Sequence, residues 1–117
     1  MSTEGTAPAE FWTSERCFIT EYLNRPSLPS VSLAQARVEP GVTTAVHSVT
    51  VDEWYLVQSG QGLMSLGTAD PFPVGPGDTV HIPPGCAQNI TNTGIADLLF
   101  LCVCVPRFTP GCYRSLS

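Results

Sequence analysis

Apolar and polar side chains alternate along this chain in short runs, and proline or glycine cuts most of the runs off. In "VSLAQARVE", Val31 and Leu33 alternate with Ser32 and Ala34, the period-2 signature of a strand with one face buried. "RCFITEYLN" has the β-branched and aromatic content of a strand. "RPSLPS" after it reads as a turn or loop, because each proline removes a backbone donor and fixes φ. Beyond Pro40-Gly41, "VTTAVHSV" predicts a strand, "VDE" a short connection and "EWYLVQS" the next strand. "GQG", Gly60 to Gly62, predicts a hairpin turn into "LMSL". The Gly- and Pro-rich "GTADPFPVGPGD" predicts a loop, and "TVHI" a strand that stops at Pro83-Pro84-Gly85. "AQNIT" and "DLLFLCVCV" follow as strands, separated by the turn "NTG". Phe11 to Asn24 fits more than one element, and the polar stretch 1–10 is expected to be disordered. The tail 106–117 carries Phe108 and Tyr113, too apolar for a free end, and is expected to pack along the outside.

About eight to ten short strands with turn signals every 8–12 residues predict an all-β sandwich or barrel. No internal repeat or linker breaks the chain, so one domain over 11–117 is expected. At this length roughly two-thirds of the unfolded surface is buried, enough for a core without staples. Charge then removes function classes. The net charge is −5, no lysine is present, and the five arginines are scattered. No basic stripe exists for nucleic acid or anionic lipid, and Schiff-base chemistry lacks its amine. The longest apolar run, Leu98 to Val105, is too short to span a bilayer, and the N-terminus is unlike a signal peptide. Five cysteines without a Cys-x-x-Cys pair suit a reduced, cytoplasmic protein. Cys102 and Cys104 share a strand face and read as small buried hydrophobes.

Two spaced motifs carry a family resemblance. Gly41, five residues, His47-Ser48-Val49, three residues, Glu53, six residues and Gly60 follow the frame G-x5-H-x-H-x(3,4)-E-x6-G, with Val49 replacing the second histidine. Gly77, five residues, Pro83-Pro84-Gly85, two residues, Gln88, three residues and Asn92 follow G-x5-P-x-G-x2-H-x3-N, with Gln88 replacing the histidine. Over 41–60 and 77–92 the chain therefore resembles the cupins. The tail is similar to that of small bacterial one-domain cupins often labelled mannose-6-phosphate-isomerase-like, a grouping that says little about substrate. The resemblance implies an antiparallel jelly-roll β-barrel (a double-stranded β-helix). It also implies a homodimer that hides exposed strand edges.

The same resemblance directs His47, Val49, Glu53 and Gln88 into the barrel. Metal-bearing cupins present three histidines and a glutamate there; this chain offers one imidazole, one carboxylate and one amide oxygen. Two readings stay open. In the first, a divalent ion (Fe, Mn, Ni or Zn) sits on His47, Glu53 and Gln88 and acts on a small organic molecule in oxygenase, isomerase or lyase chemistry. In the second, the barrel is a metal-free pocket that binds or senses a small molecule, or His47 and Glu53 form an acid/base pair. Glu53 weighs on both, because a buried carboxylate without a counter-charge is costly or stays protonated. Strand parity adds Tyr55 and Val57 beside Glu53, and Ile90 beside Gln88, as pocket residues, with Val49. His81 is expected to face outward, Asp52 away from Glu53, and Cys86 to be an inert thiol near the barrel mouth.

Overall fold

The alternation becomes two antiparallel sheets in the computed structural model, which describes residues 8–117. The first sheet contains β1 (Glu10–Trp12), β2 (Phe18–Arg25), β3 (Leu28–Val38), β5 (Asp52–Ser59), β8 (Thr79–Ile82) and β10 (Leu98–Val105). Its spatial order is β1-β2-β3-β10-β5-β8. The second contains β4 (His47–Val49), β6 (Gly62–Leu66), β7 (Phe72–Val74), β9 (Gln88–Asn92) and β11 (Tyr113–Ser115), in the order β11-β4-β9-β6-β7. The only helical turn among the described residues is the 3-10 turn Pro110–Cys112. The sheets close on an apolar core. Val38, Val57, Leu98 and Phe100 come from the first, and Met64, Val74 and Ile90 from the second. Leu98 and Met64 are fully buried, and each such side chain stabilises by roughly 1.5–3 kcal/mol over its exposed state. This is the expected all-β jelly roll.

Several expectations need correction. The "GQG" segment is no hairpin, since β5 and β6 lie in different sheets; it carries the chain from one sheet to the other. Gly60 has φ +91°, and a Cβ there would lie 2.7 Å from the carbonyl oxygen of Asp97, so only glycine fits the crossing. "LPS" is not loop but the start of β3. Pro29 is tolerated because β10 pairs only with Ser32 to Val38, so no partner strand needs a donor at position 29. The predicted strand "VTTAVHSV" is regular only at His47–Val49. Ahead of it, Thr44 Oγ1 bonds the backbone of Ile90, and the Ala45 N–H donates to the carbonyl of Glu15, which pulls the segment off a ladder. The loop "GTADPFPVGPGD" contains β7, and "VDE" is already partly β5.

Both ends of the described chain join the sheets. Of the stretch 1–10 expected to be disordered, residues 1–7 lie outside the described residues, and Glu10 begins β1. Arg37 ties that strand down by pairing with Glu10 at 2.8 Å. The tail 106–117 adds β11 to the edge of the second sheet, pairing Tyr113 with Val49 and Ser115 with His47.

Candidate functional site

Between the sheets lies a cavity of about 190 Å³ that both chain ends help to close. Its walls include Val49, Tyr55, Phe100, Cys102 and Cys104, and the chain ends bring Phe11, Glu15, Phe108 and Tyr113 to it. Two titratable groups of the motif frames, His47 and Glu53, face into this space.

His47 is the first residue of β4, in register with Gln88 of β9. Its ring stacks on Tyr113 with centroids 5.2 Å apart and planes 19° from parallel. Nδ1 lies 3.0 Å from the carbonyl oxygen of Ala45 and 2.9 Å from Oε2 of Glu15. A carbonyl oxygen only accepts, so Nδ1 carries the proton and Nε2 is the nitrogen left for the cavity. Burial pulls the pKa of His47 down, but the Glu15 carboxylate, with help from the Ala45 carbonyl and the charge of Glu53, outweighs it. The net direction is upward.

Glu53 is the second residue of β5, opposite Ile82 of β8 and Cys104 of β10. It is only 7% exposed. Burial pushes its carboxyl above the usual range, against the hydrogen bond from Gln88 and the nearby charge of His47. Oε1 accepts from Nε2 of Gln88 at 2.8 Å, while Oε2 has only the Cys104 thiol at 3.8 Å. Gln88 in turn accepts at Oε1 from the Tyr55 hydroxyl at 2.7 Å. The amide is thus held at both ends, and Glu53 is oriented by a relay that starts at a buried tyrosine. The thiols of the cavity wall stay protonated: burial pushes Cys17 up to about 11 and Cys104 up to about 12.

His47, Glu53 and Gln88 are therefore brought close, but only Gln88 and Glu53 are hydrogen-bonded to each other, while His47 is bonded to Ala45 and Glu15. A divalent ion needs several donors that converge on one point. Val49 offers none and the Gln88 oxygen is taken by Tyr55, which leaves one ring nitrogen of His47 and one oxygen of Glu53, too few to hold an ion. Among the described residues no three His, Cys, Asp or Glu side chains are placed to hold an ion. The donor set does not fit the metal that the motif frames imply.

Of the expected pocket residues, Val49 and Tyr55 line the cavity. Val57 and Ile90 do not: they have the right strand parity but sit farther along, packed in the closed core. Gln88 also lies behind the wall, 1% exposed. His81 faces outward, where Nε2 is 2.8 Å from Oδ1 of Asp52 and the ring stacks on Trp54 at 4.7 Å. Asp52 shares that outer face, away from Glu53. Cys86 is half-buried and outside the cavity.

Glu15 lines the cavity and pairs with His47, yet nothing in the sequence marks it. It sits in the connection from β1 to β2, in the polar run "TSERC", which matches no motif. Two contacts of that connection place it. Its carbonyl accepts from the Ala45 N–H at 3.1 Å, and Arg16, at φ +68°, donates from Nε to the carbonyl of Thr43 at 2.8 Å. Both contacts join positions about thirty residues apart, so no local signal could have revealed them.

Comparison with known proteins agrees with this architecture. The family model of the cupin domain (Cupin_2) matches residues 34–104. The uncharacterized protein MJ1618 of Methanocaldococcus jannaschii is 39% identical over 112 residues, 93% of this chain and 89% of that protein. Among solved structures, Pac13, described as a unique nucleoside dehydratase, superposes with a TM-score of 0.76 at 21% identity, covering 92% of this chain and 83% of that one. A Streptomyces Pac13 variant with uridine gives 0.78 at 20% identity, covering 95% of this chain and 86% of that one. Oxalate decarboxylase from Bacillus subtilis also gives 0.78 at 20% identity, covering 97% of this chain but only 33% of that protein. At such identities the solved structures establish the shared fold.

Proposed function

We propose that this chain, which belongs to the cupin domain family, houses a metal-independent acid–base centre for a small organic molecule, of lyase or isomerase type. One observation carries the reading. Two titratable side chains face the same small cavity, and each is held by a neighbour: His47 by Glu15 at 2.9 Å, Glu53 by Gln88 at 2.8 Å. That leaves His47 Nε2, and Glu53 Oε2 with only the Cys104 thiol at 3.8 Å, as the atoms open to a ligand, in environments that raise both groups.

The roles follow from the partners. A carboxylate on Nδ1 favours the imidazolium, so His47 is the proton donor and presents Nε2–H to a substrate oxygen. Glu53, strengthened as a base by burial, takes a proton from a carbon beside a carbonyl group. In an elimination, the C–H pair becomes the new C=C bond as the C–O bond breaks. The departing oxygen takes the Nε2 proton and leaves as water. The proton on Glu53 then returns to His47 through solvent, which restores both groups. In an isomerisation the same proton is handed to a second carbon. Gln88 and Tyr55 position Glu53 and do not touch the reacting atoms. A protein of this fold described as a nucleoside dehydratase supports elimination as chemistry such a barrel can hold.

Carbon-13 NMR titration of His47 tests the assignment. The account expects His47 to titrate above its ordinary value, and Glu15→Gln to bring it down. A His47 that titrates at or below the ordinary value, unmoved by Glu15→Gln, contradicts the assignment and leaves the barrel a binding pocket.

A further inference from the structure

Resting on the acid–base reading of the same cavity, we propose that its ligand is an uncharged molecule with a planar ring, and that the cavity rejects anions. The charges on the wall are one-sided. Glu53 lines it from within, Glu15 at half-burial and Glu21 at the exposed rim, and no arginine is part of the lining. The chain has no lysine to bring there. Its one cationic group, His47, already holds its Nδ1 proton on the Glu15 carboxylate at 2.9 Å. An anion entering this space meets the acidic groups of Glu15, Glu21 and Glu53 and a single imidazole whose charge is already paired with Glu15, and a largely apolar surround strengthens that repulsion. Phosphorylated sugars and small carboxylic acids, the ligands suggested by a mannose-6-phosphate-isomerase-like label, are excluded on this ground.

Shape supplies the other half. Aromatic rings reach the cavity from both sheets: Phe11, Tyr55 and Phe100 from the first, Tyr113 from the second, and Phe108 from the segment between β10 and the 3-10 turn. Such walls favour flat apolar ligands through stacked or edge contacts. The volume of about 190 Å³ is below the roughly 300–1,000 Å³ of pockets for drug-sized ligands, so one substituted ring fills it.

Benzamide and benzoate share a shape and differ in charge, which makes them the probes. Each is titrated into isotopically labelled protein at neutral pH, and binding is followed through the ring signals of His47 and Tyr113. The proposal expects benzamide to bind at least about tenfold more tightly than benzoate, and Glu53→Gln to narrow that ratio. Benzoate binding as tightly as benzamide, a ratio unchanged in Glu53→Gln, or no binding of either probe at millimolar concentration overturns it. The readout needs no turnover. Failure of the acid–base reading appears in the titration of His47 and leaves the benzamide-to-benzoate ratio intact.

Discussion

A carboxyl group set among Tyr55, Cys104 and Val49 lowers its energy by holding a proton or by finding a donor. Glu53 is placed to do both, since burial favours the protonated form while Gln88 donates to Oε1. The consequence for stability has a definite sign. A folded-state pKa above the unfolded one gives stabilisation that is complete below the unfolded value and disappears as pH rises through the folded value. Glu53 and His47 are both raised, so both contributions fade from acidic toward alkaline pH. Glu53→Gln removes one of them: relative to wild type, the variant's Tm should rise on going from pH 4 to pH 8, as calorimetry would show. Tyr55→Phe addresses the relay. It leaves the 1%-exposed Gln88 with an unpaired Oε1, so it should cost about 1–3 kcal/mol in urea unfolding. At this scale the sequence was half legible. The motif spacing and strand parity put His47 and Glu53 on one wall, and a glutamine at 88 could be read as a polar neighbour. That its amide would be claimed by Tyr55, and the imidazole by Glu15, depends on contacts 33 and 32 positions away along the chain.

Strands were legible wherever period-2 alternation meets a half-buried face, as in β3, β5 and β10. Parity was right even for outward residues, with Asp52, Trp54 and His81 together on the outer face. Reading failed where tertiary contacts overrule local pattern. Residues 42–46 have strand composition but give their backbone groups to the β1–β2 connection and to β9. "GQG" has hairpin chemistry yet crosses between sheets. That crossing is rigid: Gly60→Ala would push a Cβ onto the backbone of Asp97 and Leu98 at φ +91°, and should destabilise by about 2 kcal/mol or more. Asn92 has a comparable role at the end of the second motif. Its amide donates to the carbonyls of Val38 and Ala96 at 2.8 Å, and Oδ1 accepts from the Gly94 N–H at 2.9 Å. Asn92→Ala strands these buried groups and should cost roughly 2–4 kcal/mol, read as a lower urea midpoint with unchanged slope.

Taken whole, the barrel is a cupin domain in which positions 49 and 88 both have structural roles. Valine at 49 packs against Cys104 and Cys112, and glutamine at 88 locks Glu53 in place. The chain ends complete the site: the β1–β2 connection brings Glu15, and β11 brings the Tyr113 ring under His47. Removing residues 113–117 should therefore lower thermal stability and also shift the His47 titration, which NMR on the truncated chain would detect. The central claim is that the barrel works through protons on His47 and Glu53 without a resident metal. Its most direct test is metal analysis of protein purified without a nickel column, side by side with Glu53→Ala. The account predicts no ion near one per chain in either sample. A near-stoichiometric ion in the wild type that disappears in Glu53→Ala would contradict it.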